Sequence, residues 1–216
     1  MPLSLQWDFS TLADQLAQVI QQTENELRLE QAVYGIDAKE ELALHELLAD
    51  GLSAHYEVAR EVHYPSSRGH KLTHRQRCDL VLAPRGRPLR LDSAPPTLFD
   101  PPNQSDPSEA LWLEVKAAYQ FREGNVRHTG YTGQWTTNII NDLRKMEAEE
   151  LIREAGLLLI VFNESAEILD KDLDLFESVL AQKEVLAGFR KVRSIPILDR
   201  IGHRLCTVAL WPTLQR

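Results

Sequence analysis

Apolar residues recur at helical spacing in the first fifty positions and then switch to alternation. Leu12, Leu16, Val19 and Ile20 share one face of a 3.6-residue period, which predicts a helix over about 11–33. Thr11 and Asp14 give it a capping-box-like start. Gly35 breaks the pattern, and a second helix is predicted over 37–52, with Asp37 as N-cap and Gly51 near its end. Its apolar stripe is Leu44, Leu47, Leu48 and Leu52. Strands are predicted from Tyr56 to Tyr64, from Arg77 to Ala83 and from Ala110 to Tyr119. A polar hairpin loop separates the first two. Segment 84–109, with Pro95, Pro96, Pro101 and Pro102, reads as a long irregular insertion.

A polar loop from Arg122 to Gly133 leads to a helix predicted over 134–154, with Ile139, Ile140, Leu143 and Met146 on one face. Leu157 to Phe162 is a continuous apolar run, as in a strand buried on both faces. A further helix over 166–187 precedes two final strands, 189–198 and 204–211, with a turn at Gly202. The order predicts an α/β fold around a central mixed sheet. Residues 1–216 read as a single domain, with 1–36 as an N-terminal helical arm and the last two strands as additions to the core.

The 216 residues are 43% apolar and 26% charged, which fits a soluble globular chain able to bury a core without disulfides. No stretch approaches the ~20 apolar residues of a membrane span, and residues 1–7 do not resemble a secretion signal. Cys78 and Cys206 show no metal-type spacing, so a reduced, cytoplasmic setting is expected. The net charge of -8 argues against a general nucleic-acid coat protein. The charge is uneven, however. Arg68, Lys71, Arg75, Arg77, Arg85, Arg87 and Arg90 lie close together, with Asp79 the one acid among them. That run is either a solvated loop or a local grip on a phosphate backbone.

The chemistry-bearing segment is Leu111-Trp112-Leu113-Glu114-Val115-Lys116-Ala117. Strand alternation puts Trp112, Glu114 and Lys116 on one face and Leu111, Leu113, Val115 and Ala117 on the other. Charges inside an apolar strand are costly unless paired or functional. Asp79 is likewise a single acid in an apolar strand, with Cys78, Leu80 and Leu82 expected on the opposite face. If the two strands pair, Asp79 lies beside Glu114, and two adjacent carboxylates call for a cation between them. Mg²⁺ suits such an oxygen site.

An acid in one strand, Glu-x-Lys in the next and a preceding helix with a glutamate resemble the PD-(D/E)xK nuclease superfamily. The resemblance runs from Glu41 to Phe162. It implies a restriction-endonuclease-like core of order α-β-β-β-α-β, with Asp79 and Glu114 as its acids and Lys116 as its lysine. Cys78 stands where the motif's name has proline, and the long gap before Glu114 is assigned to the Pro-rich insertion. Glu41 is chosen as the helix acid, with Glu40 as the alternative on the other flank of the stripe. Gln134, Asp142 and Lys145 are candidates for facing the site from the next helix, although Asp142 and Lys145 also read as an ordinary surface ion pair.

The implied function is a Mg²⁺-dependent endonuclease, with Mn²⁺ as a substitute, acting on nucleic acid and by family habit on DNA, in restriction, repair or defence. The implied metal ligands are Asp79, Glu114, the carbonyl of Val115 and Glu41. Arg77, Arg122, Arg127, His128, Gln134 and Lys145 are expected to contact nucleic acid. The alternative is a non-catalytic subunit that keeps the nuclease fold and binds nucleic acid or protein partners. The acidic balance leaves room for a second copy of the chain or for another protein. His63, His70 and His74 match no zinc spacing. Gly124, Gly130 and Gly133 form no phosphate-binding loop.

Overall fold

The computed structural model describes residues 7–65, 76–90, 103–122, 126–198 and 202–215. Two helices come first, α1 (Phe9–Leu29) and α2 (Glu41–Leu52), with a 3-10 turn at Ile36–Ala38 between them. Three strands follow: β1 (Tyr56–His63), β2 (Arg77–Pro84) and β3 (Leu111–Tyr119). A small hairpin, β4 (Phe121–Arg122) with β5 (Val126–Arg127), leads into α3 (Tyr131–Ala148). The chain then runs through β6 (Glu154–Asn163), α4 (Ala166–Gln182), β7 (Lys191–Pro196) and β8 (Leu205–Gln215).

Six strands form one mixed sheet in the order β1-β2-β3-β6-β8-β7. β3 and β6 are parallel, and every other neighbouring pair is antiparallel. The parallel pair needs a crossover, which α3 supplies. The sheet separates two apolar clusters. Leu111, Leu113, Val115 and Ala117 pack with α1 and α2, while Trp112 and Ala118 pack with α3 and α4. Leu157 to Phe162 is buried throughout because β6 is central and covered on both faces.

The segment expected as a helical arm packs on the sheet. Phe9, Leu12, Leu16 and Ile20 of α1 are buried in the first cluster. Its N-cap is Asp8, whose carboxylate accepts from the N–H groups of Ser10 and Thr11, so the helix begins before the expected Thr11. Asp37 does not cap α2, which starts at Glu41. Its carboxylate instead accepts from the backbone N–H of His203, far along the chain. α3 spans 131–148 rather than 134–154, because β6 already begins at Glu154.

β2 also departs from simple alternation. Leu80 and Leu82 face the α1/α2 cluster as expected, but Cys78 joins the opposite one. The switch coincides with a gap in the β1–β2 ladder: Arg60 pairs with Leu80 and Val62 with Cys78, while Glu61 and Asp79 do not pair. Of the insertion, 84–90 and 103–109 are described, and its ends are tied by a bridge between Leu89 and Ser105. Pro95, Pro96, Pro101 and Pro102 lie outside the described residues.

Gly51 sits in α2 against α1, and a Cβ there would collide with the Val19 side chain. Gly51→Ala is therefore expected to destabilise the chain by about 1–3 kcal/mol, despite the better helix propensity of alanine. Thermal melts check this, and adding Val19→Ala to Gly51→Ala should recover most of the loss.

Candidate metal centre

The site forms where β2 leaves β3. The ladder between them ends at the Leu80–Leu113 pair. Beyond it, three alternate N–H groups of β3 donate to side chains instead of a strand. Val115 N–H donates to Asp79 Oδ2 at 2.8 Å, Ala117 N–H to Glu41 Oε2 at 3.0 Å and Tyr119 N–H to Gln134 Oε1 at 2.9 Å. Thus β2, α2 and α3 each send one acceptor to the same open edge. An unpaired buried N–H would cost about 1–3 kcal/mol, so the edge itself holds these side chains in place. The Val115 carbonyl faces the same edge as its N–H, as extended backbone requires.

Glu114 and Lys116 project from β3 on its α3 side. Lys116 Nζ lies 3.3 Å from Asp79 Oδ2, 3.6 Å from Glu114 Oε2 and 3.7 Å from Asp142 Oδ2. Lys145 Nζ is 2.7 Å from the other oxygen of Asp142. The Asp142–Lys145 pair is therefore part of the cluster, not an isolated surface pair. Burial pulls the Lys116 ammonium toward neutrality, but the charges of Asp79, Glu114, Asp142 and Glu41 outweigh it and hold its pKa above the ordinary value.

Glu114 is 3% exposed. Burial, and then the charge of Asp79, push its pKa up to about 8, against a hydrogen bond from Tyr64 and the charge of Lys116. Tyr64 stacks on Trp112 with ring centres 5.9 Å apart and donates its hydroxyl to Glu114 Oε1. Burial raises the Tyr64 phenol far above its ordinary range, so it keeps the proton that it donates to Glu114. Tyr64→Phe should remove a donor to a charged group. We expect a stability loss of about 1.5–3 kcal/mol at pH 9, measured by urea denaturation, and a smaller loss at pH 6. An equal loss at both pH values would mean the bond does not depend on the Glu114 charge.

The other expected residues divide into groups. Arg122, His128 and Gln134 line a cleft of about 630 Å³ together with Glu40, Glu41 and Tyr119. Glu41, not Glu40, reaches β3; Glu40 occupies the N-cap position of α2. Arg127 is exposed on β5, and its charge acts on Asp172 of α4. Arg77 pairs with Glu61 at 3.7 Å. The basic run is largely tied down: Arg87 pairs with Glu109, Arg90 with Asp106, and Arg85 donates to the Ala54 carbonyl. Arg68, Lys71 and Arg75, like His70, His74 and Gly124, lie outside the described residues. Both cysteines are buried and free.

Among the described residues, one group of three donors is close enough to share an ion: His45, Glu61 and Asp79, with ligand atoms all within 4.8 Å of one another. Asp79, Glu114 and Glu41 do not gather as tightly, because Ala117 N–H holds Glu41 further along β3. Sequence reading missed Tyr64, His45 and Glu61. Tyr64 stood at the end of a predicted strand, and His45 lay beside the Leu44 and Leu48 stripe, but nothing local marked either as a partner of Asp79 or Glu114.

Two ammonium groups, on Lys116 and Lys145, face the four carboxylates of Asp79, Glu114, Asp142 and Glu41. Burial first, and the neighbouring Asp79 charge second, make the ionised Glu114 costly without a further cation. Hard oxygen donors in excess fit a divalent cation. The chain matches no protein-family model, no curated protein and no solved structure.

Proposed function

We propose that the chain is a Mg²⁺-dependent phosphodiesterase acting on nucleic acid, with DNA as the substrate that the family resemblance implies, built on a restriction-endonuclease-like arrangement. The observation that carries this reading is the convergence of Asp79, Glu114 and Lys116, with the lysine nitrogen within 3.6 Å of both carboxylates. The order α2-β1-β2-β3-α3-β6 supports it, as does the parting of β2 from β3 at Asp79.

Asp79, Glu114 and the Val115 carbonyl would hold the cation, with Mn²⁺ able to substitute. Such an ion polarises a phosphoryl oxygen and makes a bound water more acidic. Lys116 is a fixed positive charge beside those acids, suited to stabilising negative charge as it builds on the phosphoryl group. Asp142 and Lys145 position Lys116 from α3. Glu41 holds the edge of β3 at Ala117 and borders the cleft that contains Arg122 and His128, where a strand could continue away from the reacting phosphate.

The test is cleavage of single- and double-stranded DNA and RNA with Mg²⁺ or Mn²⁺, comparing wild type with Lys116→Ala and Asp79→Ala. Cleavage by wild type that both substitutions abolish supports the reading. A wild type that binds nucleic acid without cutting it points instead to a nuclease-fold binding subunit.

A further inference from the structure

We propose that His45, Glu61 and Asp79 form a second cation subsite, selective for a transition ion that accepts an imidazole nitrogen, such as Mn²⁺ or Zn²⁺, over Mg²⁺. It lies on the α2 and β1 side of Asp79, whereas Glu114 and Lys116 belong to the face covered by α3. One ring nitrogen of His45 and one carboxylate oxygen each from Glu61 and Asp79 lie within 4.8 Å of one another. Modest side-chain movement brings three such donors to the ~2.0–2.2 Å bonds of a transition ion.

His45 supplies the independent evidence. It is 6% exposed, and its buried Nε2 makes no hydrogen bond. A buried polar atom without a partner is costly, and ring coordination satisfies an imidazole as well as a hydrogen bond does. The ring borders a cleft of about 350 Å³ that Glu61 and Asp79 also line. Both backbone and Lys116 donors to Asp79 fall on Oδ2.

The local backbone presents Glu61 to the same cleft. Glu61 adopts φ 52°, a left-handed conformation uncommon outside glycine, at the gap in the β1–β2 ladder opposite Asp79. Its ion pair with Arg77 is long at 3.7 Å and half-exposed, so a cation displaces it at small cost. One imidazole with two carboxylates is a donor set for Mn²⁺ or Zn²⁺; Mg²⁺ prefers oxygen donors and water. Use of this ion in catalysis rests on the phosphodiesterase reading above; its binding does not.

The experiment uses Mn²⁺ as the probe, added to the full chain in excess Mg²⁺ and followed by electron paramagnetic resonance. Wild type should bind Mn²⁺ and show hyperfine coupling to an imidazole nitrogen. His45→Gln should abolish that coupling. Glu61→Gln, at an exposed position where folding is not at risk, should weaken Mn²⁺ binding by about tenfold or more. Absence of Mn²⁺ binding, binding without nitrogen coupling, or binding unchanged by both substitutions would each overturn the subsite. Cleavage in Mg²⁺ alone reports separately on the phosphodiesterase reading, so the two can fail independently.

Discussion

Lys116→Ala is expected to lower Mg²⁺-dependent cleavage by about 10²–10³-fold or more, the scale set by losing one group aimed at developing charge. The same substitution should destabilise the metal-free chain by about 3 kcal/mol. It leaves Asp79, Glu114 and Asp142 without the ammonium they share in a largely buried setting. The two effects separate on adding Mg²⁺. A divalent cation compensates the carboxylates, so thermal stability should recover toward that of wild type while cleavage stays low. Recovery of both would make Lys116 a structural counter-ion only. Asp79→Ala should abolish cleavage without such rescue, since it removes a proposed ligand and the acceptor of Val115 N–H. Cleavage unchanged in both variants would assign the activity to another site or to a contaminant.

Metal-free stability should fall as pH rises from about 4.5 toward 8, because of Glu114. Its folded pKa, about 8, lies above its ordinary value of 4.5. Below 4.5 both folded and unfolded chains carry the proton. Between the two values the folded chain holds a proton that the unfolded chain has released, so each pH unit removes up to about 1.4 kcal/mol of stability. Above 8 the loss is complete and the contribution is flat. Urea titrations in chelator across this range measure the slope. Glu114→Gln should flatten it by this one-proton component, and Mg²⁺ should flatten it in wild type. By the same linkage, Mg²⁺ binding at neutral pH should release protons, read by calorimetry in buffers of different ionisation enthalpy. An unaltered slope and unaltered proton release in Glu114→Gln would remove Glu114 from the account.

The cleft beside Glu41 bears on where nucleic acid would lie. Arg122 reaches it from β4, and His128 from the turn between β5 and α3. The run from Arg77 to Arg90 contributes less than its charge implies, because Arg77, Arg87 and Arg90 meet acids and Arg85 meets a carbonyl. Among the described residues no helix is long and apolar enough to cross a membrane.

Local pattern by itself determined the strands that matter and placed Glu114 and Lys116 on one face of β3, since alternation is a property of neighbouring residues. It also placed the stripes of α2 and α3 and the doubly buried run of β6. Tertiary structure decided the rest. Asp37 turns from a helix cap to His203, because its carboxylate goes to the donor that packing brings near; the Asp8 cap of α1, by contrast, uses only the neighbouring N–H groups of Ser10 and Thr11. β2 diverges from β3 just where Asp79 must bend, which no period-2 pattern encodes. The open edge this leaves recruits Glu41 and Gln134, and the Glu114 carboxylate is completed by a tyrosine 50 positions earlier in the chain. Periodicity records which face a residue occupies; only the packed chain records which distant group satisfies it.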